Sequence, residues 1–192
     1  SGRHMDSIVN IDFETGKLNW ILGDPEGWPK EWVDQYFFKP IGNNFGWQYE
    51  QHACMVLPNG DIMCFDNGHY RSKVKENYLP AKDNFSRGVI YRINTDDMTI
   101  RQVWQYGKER GAEFFSCYIC NCEYYEEGHY LVHSGGIGQR GDEYLNFPGA
   151  ALTDEIESGE VKLSSITVEV KNDKVLYEMH LPANYYLSLI HI

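Results

Sequence analysis

Three polar side chains at the ends of one short hairpin have types that could carry chemistry. His52 opens the hairpin, and the run from Asp66 to Arg71 closes it. Because the two ends of an antiparallel hairpin lie side by side, we expect His52, Asn67 and Arg71 to reach a common point. A neutral imidazole can act as a nucleophile or general base near neutral pH, and a guanidinium binds oxyanions. The plainer alternative is a structural histidine and an arginine paired with surface acids.

The cysteines raise the question of a metal or of disulfides. Five are present, which is too few for a disulfide-dense mini-domain. The spacing Cys117-x-x-Cys120-x-Cys122 resembles part of a zinc site, but a structural zinc normally needs four ligands and no second pair completes the set. The sequence therefore predicts no metal site, and buried thiols remain one alternative for these residues.

Composition and charge limit the classes of partner. The 192 residues carry 28 Asp and Glu against 17 Lys and Arg, for a net charge of −11. Such a chain repels a phosphate backbone, which argues against nucleic acid as a partner, and an anionic substrate would need a local positive pocket. No run of 18 apolar residues is present, so no membrane span is predicted. Aromatic residues make up 15% of the chain, which favours β structure.

The elements that must position these residues repeat along the chain. A short alternating strand, a polar turn and a second strand ending in Trp-x-x-Gly occur at Ile8–Gly23 and again at Ile90–Gly107. A weaker third copy starts at Ile166. Between these copies lies a second kind of hairpin, once around Asn59-Gly60 and once around Glu127-Gly128. An Asn-Gly turn between apolar runs is a strong hairpin signal.

Two alternating hairpins give four strands per unit of about 80 residues, which is typical of a β-propeller blade with long insertions. The predicted fold class is therefore all-β, with about two and a half blades of a six-bladed propeller. Since a propeller needs at least about four blades to close, the chain is expected to be a fragment. Its unpaired edge strands could pair with a second copy, giving a homo-oligomer. An ordinary β-sandwich is the alternative.

The propeller also suggests a place for His133. This histidine ends the return strand of the second hairpin, just before Ser134-Gly135-Gly136. Equivalent strand ends of successive blades converge around the propeller axis, which would bring His133 toward the cavity of His52 and Arg71.

The predicted domain spans residues 6–182. We interpret residues 1–5 as the remnant of an expression tag and residues 183–192 as a tail that is not native. Aromatic-rich insertions are expected at 24–49, 73–84 and 136–148, the first with one or two helical turns near Glu31–Phe37. Loops of this length are often functional.

From about Ile8 to Leu181 the chain resembles the bacterial aryl-sulfate sulfotransferases. The resemblance rests on the Gln51-His52 hairpin with its Pro58-Asn59-Gly60 turn, the exit Phe65-Asp66-Asn67-Gly68-x-x-Arg71, the strand Ser86-Arg87-Gly88-Val89-Ile90-Tyr91-x-Ile93, and the Trp-x-x-Gly strand ends.

The resemblance implies a six-bladed propeller that moves a sulfuryl group from a phenolic sulfate to a phenol, without a nucleotide sulfate donor or other cofactor. His52 and Arg71 match the family's substrate-binding residues. His133 is the best match for the histidine that is transiently sulfated. A further active-site histidine of the family lies upstream, in a blade that this chain does not contain.

On this interpretation Arg87 and Asn67 join His52 and Arg71 around the sulfate. Trp47, Tyr49 and Tyr70 could sandwich a phenolic ring, although packing is the usual role of such aromatics. The family resemblance also implies a disulfide shortly before the nucleophile, between Cys117 and either Cys120 or Cys122, and a periplasmic or secreted location.

Two other functions fit the residues. One is a non-catalytic propeller module that binds a partner through its aromatic loops. The other is a propeller hydrolase or lyase in which His52 and His133 act as general base and acid.

Overall fold

The computed structural model describes residues 1–146 and 152–182, and most of its regular structure is β-strand. The described strands are β1 (Ser7–Ile11), β2 (Leu18–Gly23), β3 (Lys39–Pro40), β4 (His52–Val56), β5 (Ile62–Asp66), β6 (Arg87–Asn94), β7 (Thr99–Tyr106), β8 (Cys120–Glu126), β9 (His129–Arg140), β10 (Glu143–Tyr144), β11 (Val161–Lys171) and β12 (Lys174–Leu181). The α-helices are α1 (Lys30–Tyr36) and α2 (Thr153–Glu157), and short 3-10 helices lie at Arg3–Met5, Lys75–Asn77, Ala81–Asp83 and Lys108–Phe114.

A two-stranded sheet is formed by β1 and β2, with Ile8 opposite Leu22 and Asn10 opposite Trp20. This is the first copy of the hairpin that ends in Trp-x-x-Gly. Its turn is tied by Asp12, whose carboxylate accepts hydrogen bonds from the backbone and hydroxyl of Thr15 at 2.7 and 2.6 Å. The predicted hairpin is therefore confirmed.

The second sheet has the order β3-β7-β6-β5-β4. Strands β4 to β7 form an antiparallel meander of four strands, and the short β3 pairs in parallel with β7. The β4–β5 turn needs a left-handed residue, which Gly60 supplies with φ 86°. The His52 end of β4, the Asp66 end of β5 and the Arg87 end of β6 meet at one end of this sheet, because neighbouring strands run in opposite directions.

The third sheet repeats that pattern. Its order is β10-β9-β11-β12, and β8 also pairs with β9. Strands β8, β9, β11 and β12 thus form a second antiparallel set of four, with Asn121 opposite His133 and His133 opposite Thr167. Two four-stranded sets thus follow a two-stranded hairpin, and the all-β prediction is confirmed.

The second sheet is covered on both faces. On one face Ile62, Cys64 and Val89 pack with Trp20 and Leu22 of the first sheet. On the other face, one cluster joins side chains of the second and third sheets: Met63, Phe65, Ile90, Val132 and Val168. Strand β5 is accordingly buried at every position, and its sequence lacks the polar alternation of a half-exposed strand.

The insertion predicted at 136–148 is only partly a loop. Strand β9 continues through Gly135-Gly136 to Arg140, because β11 pairs with it on both sides of the two glycines, where the register shifts between Ser164 and Ile166. The prediction of a helical segment near Glu31–Phe37 is confirmed by α1. Residues 147–151, within which the predicted insertion ends, and the tail predicted at 183–192 lie outside the described residues. In the described ranges, no helix has both the length and the hydropathy of a membrane span.

Candidate anion-binding and histidine site

His52 is held by Asn67. Its Nδ1 lies 2.7 Å from Asn67 Oδ1, while Asn67 Nδ2 donates to the carbonyl oxygen of Ser116 at 2.8 Å. The second contact fixes the orientation of the amide, so Oδ1 must accept a proton that His52 carries on Nδ1. The lone pair of a neutral His52 then lies on Nε2, the nitrogen that could act as a base or nucleophile.

The surroundings of His52 favour its neutral form. Burial lowers the pKa of His52 below its ordinary value, and the hydrogen bond that His52 donates to Asn67 offsets this only in part. The charge of Arg3 acts in the same direction as burial. A half-buried imidazole that stays neutral keeps its lone pair at neutral pH, which the roles of nucleophile and base both require.

Arg71 is anchored by a buried carboxylate. Its Nη1 donates to Asp66 Oδ2 at 2.9 Å, its Nε to Asn84 Oδ1 at 3.2 Å, and its Nη2 to the carbonyl oxygen of Phe85 at 2.7 Å. Its Cζ lies 3.6 Å from the centre of the Phe85 ring. A guanidinium has five N–H groups, so contacts within the described residues leave two of them for a ligand. The partner is a fully buried acid, not the surface acids of the plainer interpretation.

Arg87 does not match its predicted role in binding substrate. Its five hydrogen bonds go to Asp66 Oδ2 at 2.8 Å, to the side-chain oxygens of Gln102 and Gln105 at 3.0 Å, and to the carbonyl oxygens of Gly46 and Trp47 at 2.9 and 3.4 Å. Every N–H is thus committed to the protein, and none remains for a sulfate. Arg87 instead fastens the loop before β4 to β5 and β7.

The structure joins His52 and Arg71 only indirectly. Successive side chains along a strand point to opposite faces, and at the end of β5 Asp66 reaches Arg71 and Arg87 while Asn67 reaches His52. The predicted meeting of His52 with Asn67 is confirmed. Arg71 lies on the other side of the end of β5. It is linked to His52 only through the chain, because its partner Asp66 directly precedes Asn67.

His133 lies in the interior of the third sheet. It is fully buried, and its Nδ1 is 2.8 Å from Thr167 Oγ1 on the neighbouring strand β11. The adjacent Val132 packs in the cluster between the second and third sheets, so the alternation of β9 directs His133 to the other face. Its role as the nucleophile stays a prediction.

A cavity of about 890 Å³ opens beside Arg71. Among its lining residues are the predicted Trp47, Tyr49 and Arg71, together with Phe85 and Lys108, which the sequence analysis missed. Phe85 is surrounded by cations, with Arg87 Cζ at 5.8 Å and Lys108 Nζ at 5.6 Å from the ring centre. The cavity therefore combines positive charge with aromatic walls, as an aromatic anion would require.

Tyr70 lies elsewhere. Its ring is stacked on His69 at 4.1 Å and on Tyr78 at 4.1 Å, and it lines a different cavity of about 540 Å³ with Glu50 and Lys73. His69 Nδ1 is 2.8 Å from Glu50 Oε1. The prediction that Tyr70 and Trp47 line one site is wrong, because Tyr70 precedes Arg71 in a turn that directs the two side chains to different cavities.

The candidate disulfide is not formed. Cys117, Cys120 and Cys122 are free thiols in separate surroundings. Cys117 packs with Ala81 and Phe115, Cys122 lies in the cluster between the second and third sheets, and Cys120 Sγ contacts Ser116 Oγ at 3.3 Å. Burial raises the pKa of Cys120 to about 12, so this thiol is a poor nucleophile.

The backbone around the site is strained. Glu50, Ala53, Tyr70 and Arg71 have φ values of 48°, 51°, 54° and 50°, in the left-handed region that residues with a Cβ rarely adopt. Such strain concentrates at functional sites. These four residues flank the His52 and Arg71 segments on both sides of the hairpin end.

Gly68 is required by this arrangement, and Gly68→Ala should destabilise the chain. Its φ is 74°, and an added Cβ would lie 2.3 Å from Arg71 Nη2 and 2.4 Å from the carbonyl oxygen of Phe85. We expect a loss of about 2 kcal/mol or more in the free energy of unfolding, measured by urea denaturation. Gly60→Ala is the matched control, because Gly60 has a similar φ of 86° with no atom within 4 Å of the added Cβ. Equal losses in the two variants would show that φ alone, and not the packing against Arg71, requires glycine at position 68.

Comparisons with known proteins identify the family of the chain. The family model described as Arylsulfotransferase (ASST) matches residues 1–189, a stretch that includes the residues assigned above to an expression tag. An arylsulfate sulfotransferase AssT from Escherichia coli O6:H1 is 29% identical over 190 residues, covering 91% of this chain and 30% of the relative. One from Lelliottia amnigena is 29% identical over 207 residues, covering 100% of this chain and 32% of the relative. The chain thus spans about a third of the length of these relatives, and it belongs to the arylsulfotransferase family.

Proposed function

We propose that the protein to which this chain contributes transfers a sulfuryl group from an aryl sulfate ester to a phenol, without a nucleotide sulfate donor. The transfer passes through a sulfohistidine. In the first step a ring nitrogen of His133 attacks the sulfur, the bond from sulfur to the aryl oxygen breaks, and the phenolate leaves with the electron pair. In the second step the acceptor oxygen attacks sulfur, its proton passes to a base, and the histidine is released.

The observation that carries this proposal is the neighbourhood of Asp66 and Asn67. Asn67 holds a neutral His52 with its lone pair on Nε2. Asp66 holds Arg71, which has two N–H groups left for a ligand. His52 can accept the proton of the acceptor phenol. Arg71 can bind the sulfate oxygens, on which negative charge is spread during transfer.

The propeller is part of the same proposal. The two four-stranded antiparallel sets, β4–β7 and β8 with β9, β11 and β12, have the strand number and order of blades. The hairpin β1–β2 corresponds to the outer half of a preceding blade. The remaining blades would come from the two thirds of the relatives' length that this chain does not span.

The function can be tested with the full-length protein and a chromogenic aryl sulfate. We expect release of the phenol that depends on an added acceptor phenol. With donor alone, intact mass should show one sulfuryl adduct, which His133→Ala abolishes. His129→Ala is the control on the same strand. His129 begins β9 at the turn after β8, and its ring is hydrogen-bonded to Glu169.

Three outcomes would contradict parts of this proposal. An adduct that survives His133→Ala would assign the nucleophile to another residue. Release that is indifferent to acceptor would indicate a hydrolase. No release from any aryl sulfate would favour a binding module.

A further inference from the structure

The cations that line the 890 Å³ cavity differ in the number of N–H groups they have left for a ligand. Arg87 has committed all five, and Arg71 has committed three of five. Lys108 is exposed at the cavity, and among residues 1–146 and 152–182 no carboxylate lies within 4.0 Å of its ammonium group. Lys108 is therefore the cation of this cavity with the most donors available.

Lys108 and Arg71 share one neighbour, the ring of Phe85. Arg71 Cζ lies 3.6 Å and Lys108 Nζ lies 5.6 Å from the ring centre. A cation–π contact leaves the full charge of each side chain in place. Both charges therefore lie at the part of the cavity that Phe85 lines.

The cavity lining has more cations than carboxylates. Asp173 is a lining carboxylate, and it accepts from the indole nitrogen of Trp104 at 3.3 Å. Asp66 is fully buried behind the lining, where it accepts from Arg71 and Arg87. Three cations, Arg71, Arg87 and Lys108, against these two carboxylates leave the lining positive in a chain whose net charge is −11. This is the local positive pocket that an anionic ligand needs on an acidic protein.

The aromatic side chains of the cavity indicate which group carries the anion. Phe45, Trp47 and Trp104 line the same cavity, with Phe45 and Trp47 in edge contact at 4.6 Å. Aromatic faces next to two cations fit a planar ring that carries a sulfate better than they fit inorganic sulfate.

We propose that Lys108 binds the sulfate group of the aryl-sulfate donor together with Arg71, and so contributes to donor specificity. The inference rests on the proposed function for the identity of the ligand. It adds a residue that lies beyond β7, in the 3-10 helix Lys108–Phe114, to Arg71 and Phe85 of the β5–β6 connection.

The test is isothermal titration calorimetry of the 192-residue chain with phenyl sulfate, without any acceptor. We expect Lys108→Gln to weaken binding about three- to tenfold, the range for one partly exposed charged contact, while Lys108→Arg retains it. Lys82→Gln is the control, since Lys82 is an exposed lysine outside this cavity and the change removes the same charge. Thermal unfolding by circular dichroism shows that each variant is folded.

Each outcome decides the inference. Equal affinity of wild type and Lys108→Gln would overturn it, as would equal weakening by Lys82→Gln. Absence of phenyl sulfate binding by the wild-type chain would overturn it as well. Binding that depends on Lys108, in a protein whose full-length form transfers no sulfuryl group, would contradict the proposed function and leave the assignment of Lys108 standing.

Discussion

Asp66→Asn is expected to cost about 3–5 kcal/mol of the free energy of unfolding, because it leaves two buried guanidinium groups without their shared counter-charge. Asp66 is fully buried, and Arg71 and Arg87 bond to the same oxygen at 2.9 and 2.8 Å. Its other oxygen accepts from the backbone of Tyr49 at 3.0 Å. Asparagine keeps the shape but removes the charge that both arginines need.

Urea denaturation of the purified chain, followed by circular dichroism, measures this loss. Asp34→Asn provides the comparison, since the pair of Asp34 with Lys30 is solvent-exposed on α1 and should contribute about 0.5 kcal/mol or less. If the two substitutions cost the same, then Asp66 is not the residue that holds the arginines in place. The affinity of the cavity for phenyl sulfate should fall together with the stability, because the carboxylate of Asp66 also positions Arg71.

His52→Ala should reduce sulfuryl transfer by the full-length protein about 10²–10⁴-fold, the usual contribution of a positioned general base. The kcat/KM of the wild-type enzyme should fall as the pH drops through the pKa of His52, because only the neutral ring has a lone pair on Nε2. Since burial lowers the pKa of His52, activity should persist to lower pH than an ordinary histidine would allow.

Asn67→Asp isolates that effect. A carboxylate in place of the amide still accepts the proton of Nδ1, at the 2.7 Å contact now made by Asn67, but it stabilises the charged ring and raises its pKa. The acid limb of the pH–rate profile should therefore move to higher pH, with the plateau less affected than by His52→Ala. An acid limb that stays where it is would exclude His52 as the titrating group.

The hairpins could be predicted from the sequence because their signals are local. Asn59-Gly60 marks the turn between β4 and β5, and an alternating strand leads into each Trp-x-x-Gly end. The continuation of β9 through Gly135-Gly136 could not be predicted in this way. The two glycines lie where the register between β9 and β11 shifts, and pairing resumes beyond them with Ile137 opposite Ser164. The partner strand begins more than 20 residues after β9 ends, so it is not a local signal.

The residues of the site also differ in whether a local sequence signal predicts them. His52 and Asn67 were predictable, because both lie at the ends of one hairpin. The structural role of Arg87 was not, since its other partners are Gln102 and Gln105 on the paired strand β7 and the carbonyl oxygens of Gly46 and Trp47 in the loop before β4. The position of that loop has no local signal in the sequence. Lys108 had no signal at all, because an exposed lysine after a strand is ordinary until a cavity is seen beside it.

The four left-handed residues around the site have a consequence for how such a chain evolves. These conformations, which glycine would adopt freely, each cost about 1 kcal/mol or more of stability. The four residues are Glu50, Ala53, Tyr70 and Arg71. A lineage selected only for thermal robustness would replace them, and each replacement would relax the hairpin end that positions His52 and Arg71. The strain at this end of the sheet is therefore a cost in stability that accompanies the placement of His52 and Arg71.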